Sequence, residues 1–173
     1  MSKIKNNIFL IGFMGAGKST IAAELTKELG MQRIEMDQMI VEQQNMPISE
    51  IFDKFGEEYF RNIETDLVRE LTDKKQMVVS CGGGIVLRDE NAKLMKESGA
   101  IVLLTATPET IYERVKNSTE RPILNGNMNV EYISSLMDQR KDRYFAVADY
   151  VVTTDGKSAK EICAEIIEKL SLS

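Results

Sequence analysis

The chain has 173 residues, of which 43% are hydrophobic and 28% are charged, and its formal net charge is −5. This composition is typical of a globular protein with one buried core, and it argues against a nucleic-acid partner. The absence of histidine excludes histidine general bases, histidine metal sites and Ser-His triads. No apolar run approaches the length of a membrane span, so we expect a cytoplasmic protein with no membrane partner. The two cysteines, Cys81 and Cys163, have no metal-ligand spacing, and we expect reduced thiols.

Strand and helix patterns alternate along the whole chain, which favours an α/β protein with a parallel sheet and helices on both faces. The strands are predicted at residues 8–12, 32–35, 77–80, 100–104 and 149–153. The helices are predicted at residues 18–29, 37–45, 48–54, 57–73, 89–97, 108–116, 129–146 and 158–170.

The first predicted strand leads into a complete G-x-x-x-x-G-K-[ST] phosphate loop, Gly12 to Ser19. Its glycines let successive backbone N–H groups turn toward one point, where the following helix N-terminus adds partial positive charge. Lys18 is predicted to reach the β- and γ-phosphates, and Ser19 to offer its hydroxyl to Mg²⁺. A ligand-free glycine turn is a poor alternative, because no structural turn requires Lys-Ser at its end. The predicted nucleotide contacts in this segment are Gly15, Ala16, Gly17, Lys18, Ser19 and Thr20.

Two carboxylates, Glu35 and Asp37, follow the second predicted strand and are expected in the crevice at the carboxyl edge of the sheet. One can orient the water shell of Mg²⁺ and the other can accept a hydroxyl proton; alternatively, Asp37 only caps the next helix. The strand 77–80 ends in Cys81 and three glycines instead of a Walker-B aspartate. Because residues 82–84 have no side chains, we predict that some group approaches their backbone closely, with a flexible loop as the alternative.

Two arginines stand out in the predicted helices. Arg140 lies within an apolar stripe of the helix 129–146, so its buried guanidinium needs an anion. A protein carboxylate or a substrate carboxylate can supply that anion, and we favour the substrate. Arg61 has Glu64 one turn further on; the pair either orients Arg61 or is a surface pair of little energy, and the sequence leaves both open.

Residues 117–129 are polar, rich in turn formers and poor in periodicity. A loop of that length in a compact domain is usually functional, and we favour a lid over an ordinary surface loop. The embedded Arg121-Pro122 supports this interpretation.

Together these motifs resemble the shikimate kinase family, over essentially the whole chain. The resemblance lies in the phosphate loop, Phe60-Arg61-Asn62-Ile63-Glu64, Gly82-Gly83-Gly84, Arg121-Pro122-Ile123-Leu124, and Arg140 with Tyr144. It implies ATP-dependent phosphorylation of the shikimate 3-hydroxyl, giving shikimate 3-phosphate and ADP in aromatic amino-acid biosynthesis. It also implies a three-layer P-loop fold whose five parallel strands have the order 2-3-1-4-5. We expect one kinase domain over residues 1–173, with a substrate region at about 35–64 and a lid at about 114–129, in a monomeric protein.

The resemblance also implies roles for individual residues. The catalytic residues are Lys18, Asp37 and Arg121. The substrate-binding residues are Asp37, Arg61, Gly82, Gly83 and Arg140. The further nucleotide contacts are Arg114 and Lys157, and Mg²⁺ is assigned to Ser19 and Glu35. The chain departs from the family pattern at Glu35, where aspartate is common, and at Lys141-Asp142-Arg143, where a proline and an apolar residue often precede the tyrosine.

Three alternatives remain open. The first is another small-metabolite kinase of this fold, such as a gluconate kinase. The second is a GTP-binding switch, although the guanine motif Asn-Lys-x-Asp is absent and Asp53-Lys54-Phe55-Gly56 lies in a helical stretch, not at a strand end. The third is a phosphate-loop binding module without turnover.

Overall fold

The structure, a computed structural model, describes residues 6–116 and 129–171. Five parallel strands form one sheet in the order β2-β3-β1-β4-β5, which confirms the predicted fold class and strand order. The strands are β1 Asn7–Ile11, β2 Gln32–Glu35, β3 Met77–Ser80, β4 Gly99–Thr105 and β5 Tyr150–Thr153. The helices are α1 Lys18–Leu29, α2 Met36–Gln44, α3 Ile48–Leu71, α4 Asp89–Ser98, α5 Pro108–Val115, α6 Val130–Val147 and α7 Ala159–Ser171.

The core is built around β1, whose five residues are all buried between β3 and β4. Such continuously buried strands are typical of a parallel sheet covered on both faces. The pairing register places Ser80 opposite both Leu10 and Glu35. The carboxyl ends of β1, β2 and β3 therefore meet at one edge of the sheet, where a ligand crevice is expected.

Several element boundaries differ from the sequence prediction for local backbone reasons. The first strand ends at Ile11, because Gly12 has a φ of 148° and already belongs to the phosphate loop. The predicted helices 48–54 and 57–73 run as one element, α3, interrupted by non-helical Gly56. The second helix begins at Met36, so Glu35 occupies the N-cap position. The alternative role of Asp37 as a helix cap is therefore wrong.

A short 3₁₀ turn, Ile85–Leu87, was not predicted and joins the three glycines to α4. The predicted lid and Arg121 fall largely on residues 117–128, outside the described part of the chain. Within residues 6–116 and 129–171, none of the helices combines the length and apolar character needed to cross a membrane.

Candidate active site

A cleft of about 680 Å³ lies at the carboxyl edge of the sheet, between α3, α6 and the phosphate loop. Most of the predicted site residues line it: Gly15, Gly17, Lys18, Ser19, Thr20, Glu35, Asp37, Arg61, Gly82, Gly83, Arg114 and Arg140. Ala16 is buried beneath the loop, and Lys157 lies elsewhere. The fold thus brings the phosphate loop, the two carboxylates and the two buried arginines into one space.

The phosphate loop has a backbone that only glycine adopts easily. Gly12, Gly15 and Gly17 have φ values of 148°, 81° and 100°, in the region that L side chains avoid. Gly17 precedes α1 directly, so the loop N–H groups and the helix N-terminus face the cleft together. Lys18 Nζ donates to the carbonyl of Gly12 at 2.5 Å and to that of Phe13 at 3.2 Å. The lysine is thereby held beside the loop.

Ser19 and Glu35 contact each other directly: Ser19 Oγ donates to Glu35 Oε2 at 2.9 Å. Ser80 Oγ lies 3.5 Å from the Ser19 hydroxyl, and Arg33 Nε lies 3.9 Å from Glu35 Oε1. Glu35 Oε1 is buried and has no hydrogen-bond partner. A hydroxyl oxygen and a carboxylate oxygen that accepts no hydrogen bond are the kind of ligands that a hard cation such as Mg²⁺ prefers.

Within the described part of the chain, no three His, Cys, Asp or Glu side chains cluster as a metal cage. This donor set still fits Mg²⁺, because that ion keeps several waters and takes substrate phosphates together with one or two protein ligands. The residues present are therefore compatible with an ion that arrives with a nucleotide.

Arg140 is only 9% exposed, and it projects from α6 into the cleft. Its Nη1 is buried without a hydrogen-bond partner. No carboxylate of residues 6–116 and 129–171 forms an ion pair with it, although eleven other ion pairs occur there. An unpaired buried charge is costly, so this guanidinium is suited to an anion from outside the protein.

Arg61 differs from Arg140 because it has an internal partner. Its Nη1 lies 2.7 Å from Glu64 Oε1, and its Nε lies 3.6 Å from Glu57 Oε2. The side chains of Arg61 and Glu64 are 8% and 1% exposed, so this is not the surface pair that the sequence left open. Burial raises the pKa of the Glu64 carboxyl, and the charge of Arg61 opposes that rise. Glu64 therefore holds the orientation of Arg61 without exposure to water.

The three glycines after β3 leave room for these side chains. A Cβ atom on Gly84 would overlap the guanidinium of Arg61. On Gly82 it would lie 2.8 Å from Glu64 Oε2 and 2.9 Å from Asp37 Oδ1. The predicted close approach to this backbone is therefore observed, and protein side chains account for part of it.

Tyr144 fastens the middle glycine to α6. Its hydroxyl donates to the Gly83 carbonyl at 2.5 Å. Burial raises the pKa of the Tyr144 phenol, so the hydroxyl remains a proton donor well into alkaline solution. This bond places the glycine backbone next to Arg140, one helical turn before the tyrosine.

The two remaining cations predicted to contact nucleotide lie in different places. Arg114 Nη1 donates to the Gly15 carbonyl at 2.9 Å, so it lies against the phosphate loop. Lys157 Nζ instead contacts Glu165 Oε2 at 3.1 Å and Thr153 Oγ1 at 3.2 Å. The structure does not bring Lys157 into the cleft.

Ser80 was not among the site residues predicted from the sequence. It lies at the end of β3, with its hydroxyl 3.5 Å from that of Ser19. Its position as the last residue of a buried strand was the available signal. The contacts of Arg143 were not predicted either, because its partners lie far away along the chain.

The fold and the cleft define a phosphate-loop kinase that acts on a small molecule. The sequence profile described as "Shikimate kinase" matches residues 14–171. The shikimate kinase of Thermodesulfovibrio yellowstonii is 42% identical to this chain, over 94% of this chain and 94% of its own length. That of Geobacter sulfurreducens is 41% identical, over 92% of this chain and 88% of its own length. The solved shikimate kinase from Acinetobacter baumannii in complex with shikimate has a TM-score of 0.92 and 31% identity, and the match covers 96% of this chain and 93% of that one. The chain belongs to the shikimate kinase family.

Proposed function

We propose that this protein transfers a phosphoryl group from ATP to the 3-hydroxyl of shikimate, giving shikimate 3-phosphate and ADP, a step of aromatic amino-acid biosynthesis. Membership of the shikimate kinase family supports this activity. The observation that carries the choice of substrate is Arg140: a buried guanidinium without an internal carboxylate lines the same cleft as the phosphate loop. A carboxylated small molecule supplies the missing anion.

The acid substrate is proposed to lie between α3 and α6. Its carboxylate pairs with Arg140, and Arg61 contributes the second cation at the opposite side of the three glycines. The backbone of Gly82 and Gly83 lies against the ring, because no side chain intervenes there. Asp37 lines the same cleft and is proposed to accept the proton of the attacking hydroxyl.

The nucleotide is proposed to lie on the phosphate loop, with its phosphates on the N–H groups at the start of α1. Lys18 exchanges its contacts with the carbonyls of Gly12 and Phe13 for phosphate oxygens. Arg114 borders the nucleotide at Gly15. The family resemblance proposes Arg121 as a further cation on the transferred group; it lies outside the described residues.

Ser19 and Glu35 are the residues that would hold Mg²⁺, and Ser80 lies near them. At these residues Mg²⁺, bound with ATP, would supply positive charge next to the phosphate oxygens. Because phosphoryl transfer is loose, the main contribution of the protein is to hold acceptor and donor in line and to stabilise charge, with a modest contribution from the base.

The proposal is tested by measuring ADP release, coupled to a second enzyme, with shikimate, quinate and gluconate as acceptors. Shikimate should be phosphorylated with the highest kcat/KM, and ATP should be preferred to GTP. Lys18→Met should lower kcat sharply, which shows that turnover comes from this site. A higher kcat/KM with gluconate, or binding of nucleotide without turnover of any acceptor, would contradict the proposal.

A further inference from the structure

The segment 82–89, which we call the glycine segment, lies between the two helices that carry the buried arginines. A Cβ on Gly84 would overlap Arg61 of α3, and a Cβ on Gly83 would lie 3.5 Å from Arg140 Nη1 of α6. The distance of each helix from this segment therefore decides where the two guanidinium groups lie. Any group that holds a helix to the segment also sets the geometry for a carboxylate.

On the α3 side, the glycine segment is held by Arg88. Its Nη1 donates to Asn62 Oδ1 at 2.9 Å, and its Nη2 donates to Glu58 Oε1 at 3.0 Å. Both partners lie on α3 within one turn of Arg61. This side of the segment is thus tied to the helix that carries one buried arginine.

On the α6 side, the corresponding contact comes from Arg143, three residues after Arg140. Arg143 donates to the carbonyl of Val86 from Nε at 3.0 Å and from Nη2 at 2.8 Å. Val86 is fully buried, so this forked contact reaches from the protein surface to a carbonyl beneath it. Neither Arg143 nor Val86 lines the cleft.

Arg143 also forms a contact of the ordinary surface kind. Its Nη2 lies 2.7 Å from Asp89 Oδ1, whose side chain is 91% exposed. Exposed pairs of this kind contribute little to stability. The forked contact with Val86 is different, because a planar guanidinium with two donors fixes both the distance and the direction of the carbonyl.

We propose that Arg143 is a positioning residue for the acid substrate. Together with the adjacent Tyr144, which contacts Gly83, it fixes α6 on the glycine segment at two points and so places Arg140 for the carboxylate. Arg143 does not touch the substrate. It acts on the KM of the acid through Arg140 and leaves the nucleotide half of the cleft unchanged, because its polar contacts with the described residues are to residues 86 and 89.

This inference rests on the proposed function, and its test uses the full chain with shikimate and ATP. Arg143→Met keeps an apolar stem and removes the donors, so the KM for shikimate should rise about 3- to 30-fold. The KM for ATP and kcat should change less than about two-fold. Arg143→Lys has a single donor group, so its KM for shikimate should lie between those of the wild type and Arg143→Met. Asp89→Asn is the matched control: it removes only the surface pair and should leave all three constants unchanged.

A purely structural role is separated by a double variant. In the Arg140→Lys background the forked guanidinium is already gone, so Arg143→Met should raise the KM for shikimate by less than about two-fold. An equal effect in both backgrounds, an equal rise in both KM values, or an unchanged KM for shikimate in Arg143→Met would overturn the inference. If Arg143→Met fails to fold, the same comparison is made with Arg143→Lys. Failure of the wild-type protein to phosphorylate shikimate would instead refute the proposed function.

Discussion

Arg140 carries a positive charge into a helix face that is otherwise apolar, between Ile133 and Tyr144. This charge has no ion pair with a residue of the described ranges, so its burial lowers the stability of the fold. Arg61, by contrast, forms an ion pair with Glu64. The two arginines therefore differ in their contribution to the stability of the fold, because only Arg61 has an ion-pair partner among the described residues.

Arg140→Met is predicted to weaken binding of the acid without weakening the fold. The KM for shikimate should rise by a factor equivalent to about 2–5 kcal/mol, since a buried charge pair with the substrate is lost. The melting temperature should stay the same or rise, because an unpaired buried charge is removed. Steady-state kinetics and thermal unfolding measure the two effects. Lys141→Met removes the next, exposed cation of α6 and serves as the control; an unchanged KM in Arg140→Met would refute the assignment.

Cys81 and Cys163 are both buried free thiols. Burial raises the pKa of Cys163 to about 12 and raises that of Cys81 further still. We predict that neither thiol reacts with an aromatic disulfide reagent at pH 8 in the native protein, and that both react after unfolding in urea. Rapid labelling of either thiol in the native protein would contradict this.

The same shifts give a pH dependence of stability. Thiols of the unfolded chain ionise near pH 9.0, whereas the folded thiols stay protonated. Their contribution to the free energy of unfolding is therefore complete below pH 9 and is lost as the pH rises toward the pKa values of the folded state. Cys163→Ser should reduce this alkaline loss, measured as the urea midpoint between pH 8 and pH 10.5. An equal loss in the variant and the wild type would show that Cys163 does not contribute.

At the scale of elements, α3 combines two helical runs across one glycine. Gly56 has a φ of 85° and a ψ of 170°, a conformation almost confined to glycine. The second run carries Phe60, Arg61 and Glu64 to the cleft. The change of direction at Gly56 therefore contributes to the placement of these three side chains in the cleft.

Gly56→Ala is predicted to lower the free energy of unfolding by about 1–3 kcal/mol, because alanine is strained at this φ and ψ. Apart from its chain neighbours and the backbone of its own helix, no atom of the described residues lies within 4 Å of the added Cβ, so a clash with the rest of the fold does not contribute. Urea denaturation measures the change. Asp53→Ala, an exposed position of the same helix, should change stability by less than about 0.5 kcal/mol. A loss in Asp53→Ala as large as that in Gly56→Ala would show that backbone strain is not the cause.

The elements were predictable because their signals are local. The phosphate loop is a contiguous pattern, and the break at Gly56 follows from one residue. The burial of the pair between Arg61 and Glu64 was not predictable, since it depends on how α3 packs on the glycines. The contact of Arg143 with Val86 joins residues 57 positions apart. The contact of Lys157 with Glu165 joins residues eight positions apart. Such contacts depend on tertiary packing and leave no periodic pattern.

At the scale of the whole molecule, a chain with a net charge of −5 must hold an anionic nucleotide by local cations and backbone N–H groups. A ligand that binds only the folded state stabilises it, by about 2.7 kcal/mol at one hundred times its dissociation constant. For a chain of this length we predict that saturating ADP with Mg²⁺ raises the melting temperature by roughly 5–11 °C.

This shift should be much smaller with GDP and in Lys18→Met, because the first changes the base and the second removes a phosphate contact. Differential scanning calorimetry at fixed protein concentration measures it. Equal shifts with ADP and GDP would favour a nucleotide site that does not read the base. Lack of any shift with ADP would refute the nucleotide assignment.

The crowding around the three glycines limits how this protein can be redesigned for other acids. A methyl group at position 82 would displace the carboxylates of Glu64 and Asp37, and one at position 84 would displace the guanidinium of Arg61, so a change at either position disturbs the site itself. Position 83 tolerates a methyl group at ordinary contact distance, and that group would lie 3.5 Å from Arg140 Nη1. An engineer seeking a smaller acceptor would begin with Gly83→Ala, and one seeking a larger acceptor would need to reshape the helices on either side.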